Sequence, residues 1–131
     1  MSTTVWAGEW RYKRMTNEMG DLNTGFAYTR GIGNLFGVSN VPELGFVGVL
    51  IPNHNFITGD SVDMKIDNGE IKEFRVIRHK GTFFILLSDA AFEDLKSGNE
   101  VKIRYETYEE SHTVSFSLEG SSKVLNVIEK D

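Results

Sequence analysis

The sequence predicts an all-β domain: an antiparallel β-sandwich or barrel of about eight strands with one or two short helices. Three observations carry that prediction. Apolar and polar residues alternate with period two over much of the chain, glycine-rich turn residues recur between the alternating stretches, and only two short segments show the three-to-four spacing of a helix. Closely spaced turns of this kind belong to sandwiches and barrels rather than to a βαβ sheet. No linker composition and no internal repeat divides the 131 residues, so one domain is expected over 1–131.

Taken in order, Trp6, Trp10 and Tyr12 share one parity of a first strand, with Glu9, Arg11 and Lys13 on the other. After a turn near Gly20-Asp21, the pattern repeats in Leu22, Thr24, Phe26 and Tyr28. Glycines then break the period from Gly31 to Gly45, where no regular element is predicted. Phe46–Ile51 is a continuous apolar run stopped by Pro52, the pattern of a buried strand. Val62, Met64 and Ile66 alternate with Asp63, Lys65 and Asp67. Asn68-Gly69 follows, a pair suited to a type I′ turn, and Ile71–Arg78 should return antiparallel.

Lys80-Gly81 turns the chain into a second buried strand, Thr82–Leu87. Ser88 or Asp89 caps a short helix that turns Ala91, Phe92 and Leu95 inward, with Gly98 expected in the left-handed conformation at its end. Val101, Ile103 and Tyr105 make the next strand, Glu109–Ser111 the turn, and Val114, Phe116 and Leu118 the returning strand. Ser122 should cap a last helical turn whose apolar face is Val124, Leu125 and Ile128.

Composition excludes several classes. No run approaches the ~20 apolar residues of a membrane-spanning helix. With no cysteine there is neither a disulfide framework nor a thiolate metal site. Nine Phe, four Tyr and two Trp argue against disorder. The net charge of −5 gives no concentrated positive field for generic nucleic-acid binding. Its acids are too scattered for a nucleic-acid mimic, and Glu106, Glu109 and Glu110 read as a solvated hairpin end. The start of the chain has neither a basic segment nor an apolar core of a signal peptide, which with the missing cysteines predicts a cytoplasmic protein.

Catalytic and cofactor patterns are sparse. His54, His79 and His112 lack the close spacing of zinc ligands, so no metal and no cofactor is expected. Gly31-Ile32-Gly33-Asn34-Leu35-Phe36-Gly37 has one residue too many for a dinucleotide-binding loop, and no helical pattern follows it. It reads instead as a loop exposing Leu35 and Phe36 as candidate partner contacts, or folded over a sandwich edge. No Gly-x-Ser-x-Gly elbow occurs. Asp63 and Asp67 read as the solvent face of a hairpin, and Lys72, Arg75, Arg78, His79 and Lys80 as a strand edge guarded by charge. Tyr28 and Arg30, together with His54 and Asn55 in a polar loop, are the candidates for orienting a ligand at a sandwich mouth.

Gly59 and Val62–Gly69, the helix end Leu95–Gly98, the strand Val114–Gly120 and the following Lys123-Val124-Leu125 resemble the invasion-associated locus B family of bacterial proteins. The tryptophan-rich opening is similar as well. The resemblance implies a β-sandwich and brings no catalytic residue with it. Family members carry an export signal and cysteines, which this sequence lacks, so it is closer to a relative made in a reducing compartment, such as a phage or prophage protein. The leading functional expectation is a non-catalytic module that binds a protein partner, such as a phage-encoded inhibitor or modulator of a host factor. Two alternatives stand beside it: a small-ligand binder or enzyme with its site at the sandwich mouth, and a structural subunit forming homo-oligomers through its sheet edges.

Overall fold

The structure, a computed structural model, describes residues 10–16, 19, 23–54 and 56–130. Trp6, Glu9, the Gly20-Asp21 turn, Leu22 and Asn55, all used in the sequence reading, lie outside the described residues. The elements are β1 (Trp10–Thr16), β2 (Asn23–Arg30), β3 (Leu35–Val41), β4 (Gly45–Ile51), β5 (Ile57–Ile66), β6 (Lys72–His79), β7 (Thr82–Leu86), α1 (Asp89–Ser97), β8 (Glu100–Thr107), β9 (Ser111–Ser117) and α2 (Ser121–Lys130). The strands pair antiparallel throughout in the order β1-β2-β3-β4-β7-β6-β5-β8-β9, an open sheet folded into a sandwich. The all-β class holds.

The fold in the sheet lies along β6. Its first half pairs with β5, as in Ser61↔Arg75 and Met64↔Lys72, while its second half pairs with β7, from Val76↔Ile85 to His79↔Thr82. One leaf therefore contains β1, β2, β3, β4 and β7, and the other β5, β8 and β9. Where β6 leaves β5, the register of β5 against β8 shifts and Gly59 takes φ +90°. Arg78 supplies donors to the carbonyls there: its Nε donates to Gly59 at 2.7 Å and its Nη1 to Ile57 at 3.2 Å. Part of the basic run thus serves the backbone at the bend, because carbonyls left by a departing strand need new donors.

Inward residues of both leaves form one core. Phe36 lies edge-on to Trp10 at 6.1 Å and tilted against Phe116 at 5.7 Å, so it joins β1, β3 and β9. Trp10 also closes the open side of the sheet, its Nε1 donating to the Ser117 carbonyl at 2.8 Å. Phe92 of α1 stacks on Phe46 at 3.7 Å, and Leu125 and Ile128 of α2 are fully buried in the same core. Lys96 of α1 reaches Glu129 of α2 at 2.8 Å and pairs within its own helix with Glu93 at 3.2 Å; the hydrogen bond to Glu129 leads in holding its ammonium above the ordinary value. Among the described residues no helix is long and apolar enough to cross a membrane.

Four local expectations change. The glycine-spaced stretch contains all of β3, and Phe36, expected at an exposed loop tip, is 0% exposed. Its glycines mark turns and close approach: Gly33 has φ +76°, and a Cβ on Gly37 would stand 2.4 Å from the Phe26 ring. The β5–β6 hairpin exists, but its Ile66–Gly69 turn is closed by Gly69 N–H donating to the Ile66 carbonyl, with Asp67 at φ +54°. Asp67 then accepts from the backbone of Asn99 and Glu100, so its carboxylate organises the start of β8. The two-residue turn with both φ positive is Lys80-Gly81. Gly98 is extended, at φ −81°; its small size matters because a Cβ would meet Ile66 at 2.5 Å. Finally, α2 is a full helix rather than a single turn, anchored where buried Ser121 donates to the Leu95 carbonyl at 2.8 Å.

Candidate functional site

Cross-strand partners share a face of a sheet, so the register identifies the outer surface of the first leaf. Tyr28↔Gly37, Gly37↔Val49, Val49↔Phe84 and Phe84↔Ile77 form one continuous row across five strands. Beside it, Arg30↔Leu35 and Leu35↔Ile51 begin the next row. Apart from Arg30 and the glycine these are apolar or aromatic, and Ile51 and Ile77 are 43% and 53% exposed. The core and both helices lie on the opposite side, behind Phe36, Phe46 and Leu50.

The flank of this row is basic. Arg11↔Tyr28 and Lys13↔Phe26 put two cations on the outer face of β1, and the Arg30 guanidinium lies 5.8 Å from the Tyr28 ring centre. Tyr28 stacks on Phe26 at 5.3 Å. None of β1, β2, β3, β4 and β7 contains an Asp or Glu. In a chain of net charge −5, these five strands hold no carboxylate.

A second constellation closes one end of the sandwich, where the connections β2–β3, β4–β5, β6–β7 and β8–β9 gather. Tyr105 is the last fully buried residue of β8 and pairs across the hairpin with His112 of β9. Its buried hydroxyl meets His54 Nδ1 at 2.5 Å, and burial pushes that hydroxyl above the ordinary tyrosine value. The imidazoles of His54 and His112 lie 3.9 Å apart centre to centre, and His112 Nε2 is 3.1 Å from Thr107 Oγ1. Outside this plug is a cleft of about 340 Å³ walled by Phe56, Tyr108, Glu109, Glu110 and the two histidines. Among the described residues no group of three histidines or carboxylates could hold a metal ion.

The structure therefore divides the residues singled out from the sequence. Tyr28, Arg30 and Leu35 are neighbours on the outer face of the first leaf, whereas Phe36 points into the core. His54 lies at the end of the sandwich against Tyr105 and His112, and Asn55 lies outside the described residues. Sequence reasoning missed Tyr105, His112, Phe56 and Tyr108 as one group. The β8–β9 hairpin pattern carried a usable signal, since its register sets Tyr105 opposite His112. Nothing local in the sequence brings His54 to them.

No family model matches the chain, and no curated protein matches it. Among solved structures the fold is similar to that of invasion-associated protein B from Bartonella henselae, with a TM-score of 0.69 at 17% identity, covering 98% of this chain and 96% of that one. The likeness read from strand and turn order thus extends to the fold over nearly the whole length.

Proposed function

We propose that the protein is a non-catalytic binding module whose first leaf docks a protein partner presenting an apolar strip beside acidic residues. The observation that carries this reading is the outer face of β4 and β7. Their runs, Gly-Phe-Val-Gly-Val-Leu-Ile and Thr-Phe-Phe-Ile-Leu, are apolar at successive positions, a pattern of strands covered on both faces. On the outer face Val47 and Ser39 are buried, at 4% and 6% exposure, and the open part of the strip is at Ile51 and Ile77. A contiguous apolar strip with a polar rim suits a protein partner. The basic flank of Lys13 and Arg30 complements a partner of negative charge, favouring encounter with acidic surfaces over basic ones.

The fold likeness is compatible with binding as the task, but a fold alone does not specify one. Small size and the absence of cysteine support the finer part of the proposal, a cytoplasmic module that modulates another protein's activity, as a phage-encoded inhibitor of a host factor does. The test is capture from the native host with three tagged forms: the unaltered protein, Ile51→Asp/Ile77→Asp on the apolar face, and Lys102→Asp/Ser115→Asp on the outer face of the other leaf. Retention of one protein by the first and third forms and its loss from the second supports the proposal. Equal retention by all three overturns it. Sedimentation of the same forms covers the other occupant: a dimer dissociated by the first pair of substitutions would mean that a second copy takes the place of the partner.

A further inference from the structure

We propose that the cleft at the His54–His112 end is a binding site for an organic cation, a guanidinium or ammonium group, independent of the docking face on the first leaf. Its walls are aromatic and acidic. Phe56 and Tyr108 stand 6.0 Å apart centre to centre and are 67% and 78% exposed, an unusual position for two large rings unless something rests against them. The imidazoles of His54 and His112 form the floor, held in place by Tyr105 and Thr107. Aromatic faces attract a cation through their quadrupoles, and the attraction grows as the cation sheds water in a recess.

Carboxylates make the choice of sign. Glu109 and Glu110 line the cleft, and among the described residues neither carboxylate is in an ion pair; elsewhere on the second leaf Asp63 pairs with Arg104, and Glu106 accepts a hydrogen bond from Ser111. Backbone geometry fixes the turn that carries them: the Thr107 N–H and hydroxyl both donate to the Glu110 carbonyl, at 3.0 and 3.1 Å. Two free carboxylates on a fixed turn beside two exposed rings repel an anion and suit a planar or tetrahedral cation. The cleft volume of about 340 Å³ accommodates one such side chain or a small amine.

The same chemistry arises from a free amine or from an Arg or Lys on a polypeptide, and two probes separate these sources. The full-length 15N-labelled protein is titrated with arginine ethyl ester and with a hexa-arginine peptide, following amide shifts, with acetate as the anionic control. The expected result is saturable shifts confined to residues 54, 56 and 107–112 with the cations and none with acetate. Saturation by the ester at an affinity similar to the peptide's identifies a free cation as the ligand; much tighter binding of the peptide identifies a polypeptide side chain. Glu109→Gln/Glu110→Gln should weaken binding by roughly tenfold, and Tyr108→Leu by about threefold. These exposed substitutions should leave the melting temperature unchanged. Absence of shifts in the cleft, or shifts indifferent to both variants, overturns the proposal. So does a zinc(II) titration that moves the same residues while neither organic cation does.

Discussion

The two leaves use the same antiparallel pairing and differ in what they turn outward. On the second leaf the outward positions are charged or hydroxylated: Asp63 stands opposite Arg104, Lys65 opposite Lys102, and Ser115 flanks Lys102. On the first, the outward row through Val49, Phe84 and Ile77 is apolar, and its strands contain no acid. The inner faces are alike, because a shared core demands the same apolar side chains from both. Outer faces carry no such demand, so their difference points to use rather than to folding.

Substitutions in the core and on each leaf separate the two. The largest effect belongs to the shared interior. Phe36→Ala empties a fully buried site between Trp10 and Phe116 and should cost about 3–5 kcal/mol in denaturant unfolding. A loss below about 1 kcal/mol would mean the leaves do not depend on this contact.

Next is Gly37→Ala, on the first leaf alone. The added Cβ would stand 2.4 Å from the Phe26 ring and 2.7 Å from the Ala27 carbonyl, so a loss of about 1–3 kcal/mol is expected. The same variant should also disturb the outer row by displacing Phe26 from beside Tyr28, which near-ultraviolet circular dichroism can follow.

Tyr105→Phe removes the hydroxyl that holds His54 and should cost about 1 kcal/mol at neutral pH. It also carries a pH signature. Burial raises the folded hydroxyl above its ordinary value of 10.0, so the native state keeps a proton that the unfolded chain has begun to release. The contribution is fully present below the unfolded value and is lost as the pH rises through the folded one. The unaltered protein should therefore lose more stability than the variant above about pH 10; parallel curves would contradict this.

The smallest effect is expected on the charged leaf. Asp63 and Arg104 are bridged at 2.5 Å but both remain partly exposed, so Arg104→Ala should cost no more than about 1 kcal/mol, and less as salt is added. A salt-independent loss above that would give this face a structural importance that the comparison denies it.

Much of the fold is legible in the sequence because period two reports a strand wherever one face is wet. Val62–Ile66 and Val101–Tyr105 alternate cleanly for that reason. The strand β3 is hidden because apolar Leu35 and Val41 take outward positions while polar Asn40 faces inward, donating to the Ile128 carbonyl of α2, so the alternation is blurred. Turn chemistry was ambiguous between two pairs: Asn68-Gly69 has the favoured residues, yet Lys80-Gly81 adopts the positive φ angles, because Asp67 at φ +54° was recruited to bind the start of β8. For the sites, Tyr28, Arg30 and Leu35 were visible as residues but not as a surface, since their meeting depends on strand register. The cluster of His54, Tyr105 and His112 spans most of the second half of the chain, and only tertiary pairing assembles it.

A matched pair of affinities distinguishes the outer face of the first leaf as the docking surface. With the captured partner in hand, its Kd is measured for the unaltered protein, for Ile51→Asp/Ile77→Asp and for Lys102→Asp/Ser115→Asp. Binding should weaken by about a hundredfold or more in the first pair and change by less than about threefold in the second. The reverse pattern, with affinity lost on the charged leaf and kept on the apolar one, would contradict that assignment.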